Sequence, residues 1–280
     1  MKEKYSVLMS VYYKENPNIL KQSIDSMISQ TIRPDEIVLI CDGPLSNELN
    51  NIIYEYKQKY RELFNVIRFD ENKGLGYSLK VGVENCKNNL IARMDTDDIS
   101  KKDRCEKQLK VFEKNPTVGI VGCNIEEFSN NFEDTDYIRK VPETNKEIVK
   151  FIKKRNPFNH PSVMFKKNEA LKAGNYKDVR FMQDYFLWVD MITGGTIGYN
   201  IQENLVLMRA TDNLFKRRSG KKYLQIQYKL LKYMKEKKVI NTFEYFAFLL
   251  MRSVSCMLPN IIRKFLFRTV LRKKAGKNEN

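Results

Sequence analysis

The sequence predicts an α/β protein: a mainly parallel, mixed sheet flanked by helices, followed by a basic helical extension. Three observations lead there. Apolar runs of strand length alternate with stretches of helical spacing four times between residues 5 and 128. The carboxylates that look chemical, Asp42 and Asp95–Asp98, stand at the ends of two of those runs. Charge is also divided unevenly. Residues 214–280 hold 18 Lys/Arg against three Glu, whereas residues 1–213 hold 32 basic against 31 acidic side chains.

The elements follow in order. YSVLMSVYY (5–13) is a buried-type strand. NPNILKQSIDSMISQT (16–31) places Ile19, Leu20, Ile24, Met27 and Ile28 on one helical face and stops before Pro34. DEIVLICDG (35–43) is a second strand closing in a turn, LSNELNNIIYEYKQKY a second helix, and FNVIRFD (64–70) a third strand. NKGLGYSLKVGVENC is a glycine-rich turn into a helix, and NLIARMDTDD a fourth strand. KKDRCEKQLKVFEKNP (101–116) is a helix, and VGIVGCNIEEF a fifth strand. Beyond residue 125 the alternation weakens to a few strands and one helix. Residues 221–270 read as two or three basic helices. In open α/β sheets ligands bind outside the carboxyl ends of the strands, which is where Asp42 and Asp95–Asp98 fall.

Composition narrows the class. At 42% hydrophobic and 30% charged residues, the 280-residue chain is globular rather than disordered, and long enough for a real core. Five scattered cysteines, Cys41, Cys86, Cys105, Cys123 and Cys256, form no CxxC pair and read as reduced thiols of a cytosolic protein. The N-terminal run reads as a first strand, not a signal peptide, and no uncharged run has the ~18–20 residues of a membrane span. The single histidine, His160, leaves zinc chemistry without ligands. KGLGYSL has Leu79 where a dinucleotide fingerprint needs its third glycine, and no Walker A lysine motif is present.

RMDTDD (93–98) raises the central question. Three carboxylates in four positions repel one another and raise one another's pKa. They suit a hard divalent cation, Mg²⁺ or Mn²⁺, shared with substrate phosphates. They equally suit the N-terminus of the following helix, whose dipole favours anions. The residues of this cluster alone leave both open.

Six segments, VLMSVYYKENPNILKQSIDSMISQT, PDEIVLICDGP, ENKGLGYSLKVGV, IARMDTDDIS, NPFNHPSVMFKK and MQDYFLWVDM, stand in the order and spacing of family 2 glycosyltransferases with a GT-A fold. Over roughly residues 5–212 the chain resembles the bacterial enzymes of capsule, exopolysaccharide and O-antigen assembly, the amylovoran-type transferases among them. The resemblance implies a catalytic domain over 1–213, with a nucleotide-sugar-binding half (1–125) and an acceptor and catalytic half (126–213). RMDTDD matches the family's DxD motif. By that match Asp97 coordinates the metal, Mn²⁺ or Mg²⁺, and Asp95 contacts the ribose or helps hold the metal. Asp98 reads as a cap or a supporting group. Asp42 matches the acidic residue that hydrogen-bonds the nucleobase, usually uracil. Val11 and Tyr12 match the loop that lines the base pocket, with Glu15 close by. Gly74 and Arg93 match positions near the nucleotide.

MQDYFLW (182–188) matches the pattern whose aspartate is the general base of inverting transfer, which points to Asp184. A sugar hydroxyl must lose its proton as its oxygen attacks the anomeric carbon, and a carboxylate within hydrogen-bond reach does that. Gln183 stands where the family usually has Glu, so Asp184 has one acidic neighbour fewer. The alternative role for Asp184 is to cap its helix. His160 lies in a family motif near the donor–acceptor cleft, as a contact to diphosphate or acceptor or as a structural residue. Trp188 reads as packing rather than sugar stacking.

The expected activity is transfer of a sugar, from a UDP-sugar by preference, to a glycan or lipid-linked acceptor of a bacterial surface polysaccharide. Two rivals remain: a metal-dependent nucleotidyltransferase, and a basic nucleic-acid- or membrane-binding protein without catalysis. MSVYYKENP lacks the glycine- and basic-rich loop of the first. The near-neutral body argues against nucleic acid as a partner.

The tail 214–280 reads as a basic amphipathic extension. Phe243, Phe246, Ala247, Leu250, Val254, Met257, Leu258, Ile261, Ile262, Phe265 and Leu266 form a helical stripe, interrupted at Pro259, with Arg252, Arg263, Lys264 and Arg268 off it. Such helices lie on anionic membrane surfaces, so residues 243–280 are expected to hold the protein peripherally at the inner face of the cell membrane. The plainer alternative is a helix packed on the body with a solvated basic face.

Overall fold

The computed structural model describes residues 3–129, 132–210, 220–258, 262 and 273–274. The strands are β1 (Tyr5–Val11), β2 (Glu36–Cys41), β3 (Phe64–Arg68), β4 (Leu90–Arg93), β5 (Ile99–Ser100), β6 (Val118–Phe128), β7 (Thr135–Arg139), β8 (Met164–Lys166), β9 (Ile197–Arg209) and β10 (Lys273–Lys274). The helices are α1 (Pro17–Ile28), α2 (Asn47–Lys59), α3 (Leu75–Asn85), α4 (Arg104–Lys114), α5 (Asn145–Phe151), α6 (Lys167–Lys172), α7 (Gln183–Thr193), α8 (Gly220–Glu236) and α9 (Thr242–Met257). One mixed sheet runs β10-β7-β6-β8-β4-β1-β2-β3, with β9 paired to β6 and β5.

The first half is built as its pattern predicts. β1 pairs in parallel with β2 on one side and β4 on the other, and β2 continues to β3. The chain therefore winds one way from β1 to β3 and then reverses to β4. A crevice opens at such a reversal, beyond the carboxyl ends of β1 and β4. The period of two along β1 divides the core. Val7, Met9 and Val11 pack with α1, α2 and α4 on one face, while Leu8 joins Val38, Ile40 and α3 on the other. Gly82 of α3 is needed for that second packing, because a Cβ there would stand 2.2 Å from Leu8 Cδ1.

The second half holds more than the weak periodicity suggests. Besides α7 there are α5 and α6, of seven and six residues, and a 3₁₀ turn at His160–Ser162. Helices that short complete too few turns to show a period of 3.6. β8 runs antiparallel to both β4 and β6, so the sheet is mixed where it crosses from the first half to the second.

Part of the tail belongs to the body. Ile226, Leu230, Leu231 and Met234 of α8 sit in the same core cluster as Phe186, Leu187 and Trp188 of α7. At about 1.5–3 kcal/mol per buried apolar side chain, this outweighs surface ion pairs and keeps α8 docked. α9 packs back on α8 as a hairpin, through Tyr245 and the half-buried Phe248 and Leu249. Its outer side is apolar: Phe243, Phe246 and Leu250 are 83%, 61% and 68% exposed, with Met251 and Val254 beside them. Neither expectation for the tail fits α9 fully. The helix is packed on the body, yet the face it leaves in solvent is apolar rather than basic. Arg252 is turned inward to Gln227 and the Lys154 carbonyl, and so is not part of an outer basic face. The stripe residues Ile261, Phe265 and Leu266, the side chain of Met257, and Pro259, Arg263, Lys264 and Arg268 lie outside the described residues. No helix among the described residues is long and apolar enough to cross a membrane.

Candidate active site

The strand carrying RMDTDD stops at Arg93. The Met94 N–H still donates to the Leu8 carbonyl, after which the backbone leaves the sheet. Asp95, Asp97 and Asp98 then turn inward together, with one carboxylate oxygen from each lying within 4.8 Å of the others. The turn is pinned from three sides. Ser23 Oγ donates to the Asp95 carbonyl (2.7 Å), Thr96 Oγ1 to the Ser10 carbonyl (3.2 Å), and the Arg209 N–H to Asp98 Oδ1 (2.8 Å).

A helix-capping role for these acids is excluded. The chain makes the short strand β5 first, and α4 begins only at Arg104 with Asp103 as its N-cap. Asp98 therefore does not cap a helix; it is buried and holds the end of β9.

Charge compensation within the protein is partial. Arg93 Nη2 pairs with Asp95 Oδ1 at 2.5 Å, from a fully buried side chain whose Nε and Nη1 find no hydrogen-bond partner among the described residues. Burial and the Asp95 charge raise Asp97 to about 6, and burial with the charges of Asp97 and Asp95 pushes Asp98 well above the usual carboxylate range. An all-oxygen donor set under such mutual repulsion fits a hard divalent cation. Arg104, itself fully buried, supports the turn from below by donating to the Arg93 and Val163 carbonyls.

The side of the crevice beyond β2 is built around Asp42. Its N–H donates to the Val11 carbonyl, which ties the ends of β1 and β2 together. Its carboxylate, 4% exposed by residue, accepts from Asn72 Nδ2 (2.9 Å), the Lys73 N–H (2.7 Å) and the Gly74 N–H (3.0 Å). Gly74 has φ +87° and opens α3, so the carboxylate also lies at a helix N-terminus. Val11 is buried, Tyr12 and Glu15 are half-buried, and the Glu15 N–H closes the loop on the Tyr12 carbonyl.

Asp184 enters from the other half, in the first turn of α7. Asn156 Nδ2 donates to Asp184 Oδ2 at 2.6 Å. Burial raises the pKa, and the N–H of Tyr185, Asn156 and the positive charge of Arg139 partly oppose it. The N-cap position is held by Met182 at φ +61°, so Asp184 is not the N-cap. The charges of Arg93, Asp95 and Asp184 all act on the buried Tyr176. His160 Nε2 lies 3.0 Å from Tyr176 Oη, and burial beside Arg93 holds the imidazole neutral. Trp188 is fully buried under Phe158, His160, Phe165 and Tyr176, where it packs and cannot stack on a sugar.

Of the site residues named from the sequence, Asp95 and Asp97 lie together with Arg93 paired to Asp95, Asp42 holds the Gly74 turn and the end of Val11, His160 meets Tyr176, and Asp184 stands apart on α7, held by Asn156. Four supporting residues were missed: Asn156, Tyr176, Arg104 and Arg209. Asn156 sits within NPFNHPSVMFKK and offered a signal as a polar residue in a motif. The other three act through partners distant in sequence.

The profile of glycosyl transferase family 2 matches residues 6–174. The chain belongs to glycosyl transferase family 2. This glycosyltransferase is 36% identical over 272 residues to the UDP-Gal:alpha-D-GlcNAc-diphosphoundecaprenol beta-1,3-galactosyltransferase of Escherichia coli, covering 96% of this chain and 97% of that one. It is 34% identical over 266 residues to the amylovoran biosynthesis glycosyltransferase AmsE of Erwinia amylovora, covering 94% and 97%. Its fold matches that of S. aureus TarS, including a complex with UDP-GlcNAc, at a TM-score of 0.65 and 13% identity over 90% of this chain and 73% of that one. The GT-A architecture expected of the sheet is therefore present, and membership in the family displaces the nucleotidyltransferase alternative.

Proposed function

We propose that this glycosyltransferase moves a sugar from a UDP-sugar to a lipid-linked acceptor of bacterial surface polysaccharide, with inversion at the anomeric carbon. The observation that carries the proposal is the turn that gathers Asp95, Asp97 and Asp98 beside the buried Arg93, with the charges of Asp95 and Asp184 both acting on Tyr176. Asp97 and Asp95 would hold Mn²⁺ or Mg²⁺, and a cation bound there supplies positive charge to the departing diphosphate. Arg93, with two unpartnered guanidinium nitrogens, adds fixed positive charge to the same place. Val11, Tyr12, Asp42 and Gly74 form the nucleoside end. Asp42 spends its carboxylate lone pairs on the 72–74 turn, so we assign it first the shaping of that pocket and only secondarily a contact to the base.

Asp184 takes the proton of the acceptor hydroxyl. Burial raises its pKa toward the working pH, which makes it a better base than a solvated carboxylate, and Asn156 keeps it ionised and aimed. His160, neutral and fixed by Tyr176, lines the region between diphosphate and acceptor. The apolar outer face of α9 would rest on the cytoplasmic leaflet, where a lipid-linked acceptor is presented. The relative from E. coli, whose name specifies UDP-Gal and a GlcNAc-diphosphoundecaprenol acceptor, supports this choice of substrate class.

The test is transfer from a panel of UDP-sugars, UDP-Gal first, to GlcNAc-diphosphoundecaprenol. The wild type should transfer and invert. Asp184→Asn should bind UDP with Mn²⁺ as the wild type does and lose transfer by ~10²–10⁴-fold. Wild-type rates in that variant would remove Asp184 from the mechanism.

A further inference from the structure

The helix that carries Asp184 is gripped at both ends by the C-terminal hairpin. At its far end the buried Asp190 pairs with Lys237, just past α8 (3.1 Å), and with Lys177 (3.2 Å), and accepts the Tyr233 hydroxyl of α8. At its near end the link is indirect and runs through the turn after α5. That turn presents Asn156 to Asp184, and its Ile152 carbonyl accepts from Tyr185 Oη at 2.5 Å. α9 takes hold of the same turn twice. Lys153 Nζ reaches the Glu244 carboxylate at 3.2 and 3.4 Å. Arg252 donates through Nη2 to the Lys154 carbonyl (3.2 Å) and through Nη1 to Gln227 of α8 (2.6 Å).

Resting on Asp184 as the base, we propose that Arg252 and Glu244 are positioning residues for its carboxyl: they fix the 153–156 turn, and that turn fixes Asn156. A guanidinium fork that joins α8 to a backbone carbonyl sets the turn in two directions at once, as a lysine cannot. Glu244 is held in its turn, because it also closes the capping box of α9 with Asn241. The C-terminal hairpin is then part of the catalytic apparatus, in addition to whatever its outer face docks on.

The consequence is measurable without knowing the substrate. The charged and titratable groups around the Asp184 carboxyl are Arg139 of β7, Tyr176 and Tyr185. Arg252 of α9 itself acts on Tyr185 through a hydrogen bond and its charge, so Arg252→Lys, which keeps the charge, is the control that separates positioning from lost charge. If the Asn156 bond loosens, the carboxylate loses a donor that favours its ionised form, and its titration midpoint rises. Carboxyl-carbon NMR on the full chain, with Asp184→Asn to assign the signal, follows that midpoint directly. Arg252→Ala should raise it by about 0.5–1 pH unit, and Glu244→Gln, which keeps the capping geometry, should raise it less. Arg252→Lys should restore only part. Phe246→Ser, on the outer face of the same helix, should leave it unmoved.

An unchanged midpoint in Arg252→Ala overturns the proposal, as does an equal rise in Phe246→Ser, which would mean general loosening of α9. If Arg252→Ala does not fold, Glu244→Gln and Arg252→Lys decide, since both keep a hydrogen-bonding side chain in place. Where transfer is measured, kcat should fall about tenfold or more in Arg252→Ala with donor KM unchanged, and its acid limb should move with the midpoint. Transfer retained by Asp184→Asn would defeat the base assignment, while the titration would still decide whether α9 positions that carboxyl.

Discussion

Asp97 lies between two carboxylates, and its protonation links stability, pH and metal. Its pKa in the folded chain, about 6, is above the ordinary value of 3.8. A raised carboxyl contributes stability below its unfolded pKa and loses it as pH rises through the folded one. The metal-free protein should therefore lose stability from this group between about pH 4 and 6. A cation must compete with protons for the same oxygens, so Mn²⁺ should raise the unfolding temperature more at pH 7.5 than at pH 5. Equal shifts at both values would mean the ion binds elsewhere. Asp42 gives a different expectation. Its substitution by Ala strands the part-buried Lys73 and Gly74 N–H groups, so Asp42→Ala should cost ~1 kcal/mol in thermal unfolding even without nucleotide. Both residues were visible in the sequence as strand-end acids. The Asn72–Gly74 turn that occupies Asp42 was not, because a hydrogen bond across 30 residues leaves no local pattern.

α9 faces two ways. Inward, Tyr245, Glu244 and Arg252 hold α8 and the turn beside Asp184. Outward, Phe243, Phe246 and Leu250 meet solvent. Deleting 243–280 would remove both faces, so point substitutions separate them. Phe246→Ser with Leu250→Ser should cut sedimentation with phosphatidylglycerol vesicles at least tenfold, since each apolar side chain carries ~1.5–3 kcal/mol of burial. Unfolding temperature should stay within a degree or two, as the changes are at the surface. Undiminished vesicle binding would show that the outer face is not the membrane contact. The stripe was legible in the sequence from its spacing; which of its sides turns inward depends on packing against α8 and could not be read there.

Across the whole molecule, the parallel half was legible because β1, β2 and β3 are each followed by a helix long enough to show its period, while the two-residue β5 after β4 left no signal. The second half was not, because α5 and α6 are short and β8 has only three residues. The one tryptophan anchors the core of the second half, lying fully buried among Phe158, Phe165 and Tyr176. Trp188→Ala should cost ~3–5 kcal/mol in denaturant unfolding. The crevice at the ends of β1, β2 and β4 should bind a nucleotide through a cation at Asp97 and Asp95. Thermal unfolding with UDP, GDP, TDP and CDP, each with Mn²⁺ and with chelator, tests it most directly. At about 100-fold its dissociation constant a ligand adds ~2.7 kcal/mol, a shift of several degrees. That shift should appear for UDP with Mn²⁺ and be lost with chelator and in Asp97→Ala. A shift with UDP that survives chelator and Asp97→Ala, or no shift with any nucleotide, would contradict it.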